Sequence, residues 1–234
     1  MKQRAYDAEL LDGHPLDPDV LEHSLAQVAG VNRWLGGDRG LRRALAPLLT
    51  KAGEQRLLDV GAGNAEGALA LARWAAGRGH RWRIVAVDYH PQTAALATRR
   101  VGRASGVRGA VHVLRADGLV LPFRDRAFDA AFSVLTLHHL GDHAAVGLVR
   151  EMARVARHVV VVSDLERSRP ALLGAQLLAA TVWRWNPLTR HDGPLSVRRS
   201  FTPDELLAIG RRAGLGEPRV RRHPTFRLLL EGSP

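Results

Sequence analysis

The chain contains no cysteine. That removes thiol nucleophiles, disulfides and thiolate-held metal from the functions open to it, and no metal site is expected. Lysine is nearly missing as well: Lys2 and Lys51 are the only two. The net charge of +11 is therefore carried by arginines, which are scattered apart from Arg211-Arg212 and Arg219, Arg221 and Arg222. Nucleic-acid readers concentrate their charge on one face, so this distribution argues against nucleic acid and fits an anionic substrate or peripheral contact with a membrane surface better. Residues 1–16 hold no apolar signal-peptide core. The longest apolar run, near Leu172 to Trp183, falls short of the ~20 residues a membrane span needs. A cytoplasmic protein is the expectation. There is no internal repeat or low-complexity tract, and at 234 residues with 46% hydrophobic content the chain can bury a sizeable core.

What is present centres on Leu57-Leu58-Asp59-Val60-Gly61-Ala62-Gly63-Asn64-Ala65-Glu66-Gly67. Arg56 to Val60 has the length of a buried strand, and Ala68 to Ala76 repeats small apolar residues at helical spacing. Strand, glycine turn and helix in that order make the first half of a βαβ nucleotide-binding unit. Gly61 and Gly63 let a ligand approach the backbone, and the following helix presents N–H groups toward it. A second strand pattern ends at Asp88, 21 residues past Gly67, where a carboxylate reaches ribose hydroxyls. A third runs from Val111 to Asp117. Acids closing three successive strands would face one crevice.

Asp59-Val60-Gly61-Ala62-Gly63, Val87-Asp88, Ala116-Asp117-Gly118, Leu121-Pro122-Phe123, Phe128-Asp129 and Leu137-His138-His139-Leu140 follow one another in the order of the motifs of class I S-adenosylmethionine (SAM) methyltransferases. From about Asn32 to Ala213 the chain resembles the branch holding ubiquinone and menaquinone C-methyltransferases and many small-molecule methyltransferases. Ala65 departs from it, standing where a third glycine is usual. The resemblance implies an α/β fold: a Rossmann-like, doubly wound seven-stranded sheet, mostly parallel, with a C-terminal antiparallel hairpin. It also implies an N-terminal arm and helical cap over residues 1–52, a SAM-binding domain over 53–234, and an insertion at about 167–200 that builds a substrate wall. SAM is the implied cofactor and S-adenosylhomocysteine its product. Asp88 would hold the ribose, Tyr89 and His90 flank the adenosine, and Asp117 accept from the adenine amino group with Gly118 allowing close approach. Asp59 would orient the glycine loop formed by Gly61, Ala62, Gly63 and Asn64, or receive the cofactor's ammonium. Ser133 and Val134 would face the transferable methyl, with Asn32 and Arg33 over the methionine end.

Local patterns fill in the remainder. Residues 1–18 read as a loosely ordered arm. Asp17 or Asp19 caps a helix from Val20 to Leu35, Leu41 to Leu49 forms another, and Pro91 to Arg103 a third. Asp142 caps a helix over 143–156, and His158 to Asp164 is a strand buried on both faces. Pro170 to Trp185 reads as an apolar helix and Arg190 to Pro194 as a polar turn. Thr202 or Asp204 begins the last helix, and 217–222 with 225–230 forms the hairpin.

An acceptor hydroxyl or activated carbon must lose a proton. His138 and His139, His191 with Asp192, and Asp164 are the candidate bases, and the sequence does not choose among them. The motif of exocyclic-amine methylases, Asp/Asn-Pro-Pro-aromatic, is missing after the fourth strand, where Leu135-Thr136-Leu137-His138 stands. Oxygen or carbon is therefore the expected target atom, and the apolar insertion with Trp183, Trp185 and Phe201 suits a lipophilic or aromatic acceptor such as a phenol, polyketide or quinone precursor. An RNA-binding or RNA-modifying SAM-binding protein is one alternative. An NAD-dependent oxidoreductase is another, although the chain has no Tyr-x-x-x-Lys pair. Monomer and homodimer are both compatible with the sequence.

Overall fold

The computed structural model describes every residue of 1–234 except Lys2, His14, Pro15 and Ala52. Pro15 of the arm and the boundary at residue 52 lie outside the described residues. Strands β1 (Gln55–Val60), β2 (Trp82–Asp88), β3 (Val111–Arg115), β4 (Phe128–Val134), β5 (Ala156–Leu165), β6 (Gly216–His223) and β7 (Arg227–Ser233) form one sheet. Its order is β3-β2-β1-β4-β5-β7-β6. The first five strands are parallel, and β7 runs antiparallel to both β5 and β6. The chain winds outward from β1 to β3 and then returns to place β4 on the other side of β1. That reversal opens a crevice at the carboxyl ends of β1 and β4, where ligands of open α/β sheets bind.

Both faces of the sheet are apolar because alternate strand residues point opposite ways. Leu57, Ile84, Phe132 and Val161 meet α2 (Gly37–Leu45) and α3 (Glu66–Ala76) on one face. Leu58, Val60, Ala131 and Val162 meet α5 (Asp142–Val155) and α8 (Pro203–Ala213) on the other. The remaining helices are α1 (Pro18–Trp34), α4 (Pro91–Arg103), α6 (Arg169–Ala180) and α7 (Pro187–Arg199). Side-chain caps mark the starts of α1, α6, α7 and α8. Asp17 accepts from the Asp19 and Val20 N–H groups, Ser168 from Ala171 and Asn186 from Leu188, while Thr202 and Glu205 close a reciprocal capping box.

Several local expectations are corrected. Arg190 to Pro194 is no turn but the middle of α7, with Pro194 inside the helix. Packing overrides the breaker residues there: a Cβ on Gly193 would stand 2.3 Å from the Trp183 ring, so the glycine lets α7 close on that indole. Asp142 does not cap α5. Gly141 holds the N-cap position, and the Asp142 carboxylate pairs with Arg4. The second N-terminal helix ends at Leu45 and continues as a 3₁₀ turn to Thr50. The apolar helix α6 stops at Ala180, and β3 stops at Arg115, short of Asp117. The arm is not loose either. Ala5 N–H donates to Arg198 O, and Glu9 is buried.

Candidate functional site

The glycine turn is held from below by β2. The N–H groups of Gly61 and Ala62 both donate to Val87 O, at 2.8 and 2.9 Å. Gly61 has a φ of +73°, and a Cβ there would lie 2.3 Å from Thr136 Oγ1, so no side chain fits. Thr136 itself donates to Gly61 O at 3.0 Å and ties the β4 end to the turn. Ala65, at the usual third-glycine position, has a φ of +59°. The left-handed backbone is thus present although the glycine is not.

Asp88 closes the turn. One carboxylate oxygen accepts from Gly63 N–H at 2.9 Å and the other from His90 N–H at 2.9 Å. Burial pushes the Asp88 pKa up, partly offset by these two bonds. Behind it Asp59 is enclosed, and burial together with the Asp88 charge raises its pKa to about 8. Asp59 therefore keeps its proton at neutral pH, and Asp88 is the acid of the turn placed to meet a cationic ligand. The Asn64 Oδ1 accepts from Glu66 N–H, so not all N–H groups at the start of α3 are free. The Asn64 Nδ2, by contrast, is buried with no partner among the described residues.

Other expected cofactor residues take distinct places. Ala116 N–H donates to Asp88 O, so Asp117 follows directly beside the β2 end, where it accepts from Leu119 N–H. The space a Gly118 side chain would need is filled by Leu148 and Val60. Tyr89 is exposed. Ser133 Oγ is turned to Val60 O at 2.7 Å and is fully buried, while Val134 precedes Leu135, whose φ is +55°. Asn32 is buried against Gly37, and Arg33 pairs with Glu66 at 2.8 Å, joining α1 to the first turn of α3.

A second cluster sits at the ends of β4 and β5. A 3₁₀ turn, Leu137–His139, follows β4 and carries both histidines. His138 is 3% exposed, and its Nδ1 meets Asp164 Oδ1 at 2.6 Å while its backbone N–H donates to Asp164 Oδ2 at 3.0 Å. Burial alone would raise the Asp164 pKa, but the His138 charge and these bonds bring it below the usual value. The Nε2 of His138 faces Glu9 at 3.8 Å. His139 Nδ1 lies 3.0 Å from Asp12 and 3.7 Å from Glu9. Burial works against its charge, yet the bond to Asp12 and the charges of Glu9, Asp12 and Asp164 raise its pKa to about 9. Donor atoms of Glu9, His138 and His139 lie within 4.8 Å of one another, a spacing that also suits a metal ion. Positive charge is already at hand, for Arg199 pairs with Asp12 at 3.4 Å and donates to His138 O and His139 O.

Glu9, Asp12, Arg4 and Arg199 escaped the sequence reading because they reach the histidines from the chain's two ends, and no local pattern marks such meetings. His191 and Asp192 do form a pair, at 2.8 Å. It lies on α7, however, with His191 52% exposed at the side chain. The Asp192 carboxylate accepts from Leu10 N–H and Leu11 N–H, which anchors the arm.

Against known proteins, residues 58–161 match the profile of a methyltransferase domain. The chain is 34% identical over 203 residues to a demethylmenaquinone methyltransferase of Roseiflexus castenholzii, covering 80% of this chain and 79% of that protein. It is 31% identical over 113 residues to the 27-O-demethylrifamycin SV methyltransferase of Amycolatopsis mediterranei, covering 48% of this chain and 39% of that one. Its fold is similar to that of a SAM-dependent methyltransferase from Aquifex aeolicus, with a TM-score of 0.64, 17% identity, and 93% and 98% of the two chains covered.

Proposed function

Because the chain belongs to the class I SAM-dependent methyltransferases, we propose that it methylates an oxygen or carbon of a lipophilic or aromatic small molecule, with His138 as general base. The observation that carries this reading is the buried His138–Asp164 pair at 2.6 Å, at the ends of β4 and β5 beside the crevice. The relatives named for demethylmenaquinone and demethylrifamycin support acceptors of the quinone and polyketide type.

SAM, when bound, supplies a methyl group already activated on a sulfonium. The residues of the glycine turn fit it: a backbone bend with no room for a Cβ at Gly61, an Asn64 Nδ2 without a partner among the described residues, and the Asp88 carboxylate held by two backbone N–H groups. Asp88 would hold the ribose hydroxyls, with Asp59, Gly61, Ala62, Gly63 and Asn64 around the methionine portion. Tyr89, Asp117 and Gly118 would lie toward the adenine, and Asn32 with Arg33 would close the cap side. Ser133 and Val134 serve by positioning the strand end.

Proton removal falls to His138 for an electrostatic reason. His139, with its pKa raised to about 9, is a cation at neutral pH and holds no lone pair for a proton. His138 has its Nδ1 fixed by Asp164, so Nε2 is the free position. An acceptor hydroxyl reaching that nitrogen takes the place of the Glu9 carboxylate. Holding acceptor and donor in near-attack geometry can contribute on the order of 7–11 kcal/mol. General-base catalysis adds roughly 10²–10⁴-fold.

The test is methyl transfer from SAM to a panel of phenols and naphthoquinols by purified His138→Asn and wild-type chains. The variant should lose at least a hundredfold in kcat with S-adenosylhomocysteine affinity unchanged within twofold. Full activity in the variant would remove His138 from the reaction.

A further inference from the structure

Three arginines are buried among the described residues, and two of them are saturated. Arg167 donates to Met1 O and Ser200 O and pairs with Glu205; Arg199 donates to three carbonyls and pairs with Asp12. Arg227, the first residue of β7, is different. It is 5% exposed, its Nε and Nη1 are buried, and neither has a hydrogen-bond partner among the described residues. Two acids lie within electrostatic reach, Asp164 and Asp38. Asp164 is committed to His138 and to Leu165 N–H, and Asp38 to Arg42 and Asn32. Burial pushes the Arg227 pKa down to about 10, which leaves the guanidinium charged at neutral pH. An enclosed charge without a matching ion is costly to a fold. A planar donor fork is the group best suited to an oxyanion.

Strand order says whose anion this is. From the glycine turn on β1 the sheet continues through β4 and β5 to β7. At ~4.8 Å per strand, β7 stands about 14 Å across the sheet from the strand that carries that turn. Arg227 is opposite Leu165, the residue after Asp164. Its alternation with Leu229, which joins the core beneath α2, sets it on the cap side of the sheet. On the methyl-transfer reading, the acceptor lies toward this end of the sheet, past the glycine turn from β2.

We propose that Arg227 is the anion receptor of the acceptor pocket, and that the methylated molecule presents an acidic oxygen there, as the anion of a phenol, an enol or a carboxylic acid. The proposal rests on the methyl-transfer reading. It narrows the acceptor to compounds that can carry a negative charge beside the site of methylation.

The experiment uses the full chain with S-adenosylhomocysteine bound, and two probes that share a ring system. These are 2-hydroxy-1,4-naphthoquinone, an anion at neutral pH, and its neutral 2-methoxy analogue, each titrated by calorimetry. Wild type should bind the anion at least tenfold more tightly. Arg227→Met should bring the two probes within twofold, Arg227→Lys should keep part of the difference, and both variants should bind S-adenosylhomocysteine like wild type. The thermal midpoint of Arg227→Met should equal or exceed that of wild type, since an unpaired buried charge is removed. A preference that survives in Arg227→Met, or is missing from wild type, overturns the proposal. A large drop in midpoint also overturns it, by revealing a partner within the fold. A tenfold loss for S-adenosylhomocysteine but not for 5′-methylthioadenosine would assign Arg227 to the cofactor's carboxylate instead. Wild type that binds no S-adenosylhomocysteine at all would sink the methyl-transfer reading beneath it.

Discussion

Asp88 has both carboxylate oxygens on backbone N–H groups, those of Gly63 and His90, so the glycine turn is shaped before any ligand arrives. Charge-assisted bonds of this kind contribute about 1.5–3 kcal/mol each. Replacing the charge in Asp88→Asn should weaken S-adenosylhomocysteine binding at least tenfold by calorimetry. The thermal midpoint should fall, because the amide offers one acceptor oxygen to the two N–H groups and turns its NH2 toward the other; unchanged affinity would take Asp88 out of the site. Asp59 makes a pH prediction. Its folded pKa of about 8 stands above the ~3.9 of an unfolded chain, so the folded state keeps a proton that the unfolded state gives up. Stability from this group is full below about pH 4 and is lost as pH rises toward 8. Asp59→Asn should therefore flatten the fall in thermal midpoint between pH 5 and 8. An identical slope in the variant would mean another group titrates.

At the scale of elements, the N-terminal arm and α7 act as one unit over the histidines. Asp192 holds the arm through the Leu10 and Leu11 N–H groups, and Glu9 bonds Ser196 while facing His138. Arg4 and Arg199 donate to the carbonyls of the histidine-bearing turn, and Arg4 also pairs with Asp142. Asp192→Ala leaves two backbone donors without their acceptor, at about 1–3 kcal/mol each if they stay buried. A lowered thermal midpoint and a higher acceptor KM should follow, with S-adenosylhomocysteine affinity unchanged. A variant with wild-type KM would show that the arm does not shape the acceptor pocket. The same region marks where the sequence stops being legible. The strands and the glycine turn were readable because each is a local pattern: apolar runs, a Gly-x-Gly bend, terminal acids at fixed spacing. The arm was not, because Glu9 is an ordinary acid until His138 and, 187 residues along the chain, Ser196 surround it. Helix α7 was misread for a related reason. His-Asp-Gly-Pro carries turn chemistry, and only contact with Trp183 makes a helix of it.

For the whole molecule, the distribution of apolar surface and charge bears on how an acceptor arrives. Helix α6 is turned inside out relative to a core helix: Ala171, Ala175 and Ala179 face the body while Leu173 and Leu177 are exposed, Leu177 by 64%. Val182 and Trp185 extend that exposed strip beyond the helix, Trp185 by 82%, and Arg184 covers the indole at 4.1 Å. Arg169 and Arg190 are exposed nearby, on a chain of net charge +11. No described helix is long and apolar enough to cross a membrane. An apolar strip flanked by arginines instead matches the chemistry of helices that lie in the headgroup region, where each basic residue contributes about 1 kcal/mol against an anionic surface. Such docking would bring a lipophilic acceptor to the crevice from the bilayer rather than from water. The chain should co-sediment with phosphatidylglycerol vesicles, far less with phosphatidylcholine, and release as salt is raised. The double variant Leu177→Glu, Trp185→Glu should reduce vesicle binding at least tenfold while leaving turnover of a water-soluble phenol unchanged. Equal binding by the double variant would mean that charge alone draws the chain to the vesicle and that the α6 strip has another role.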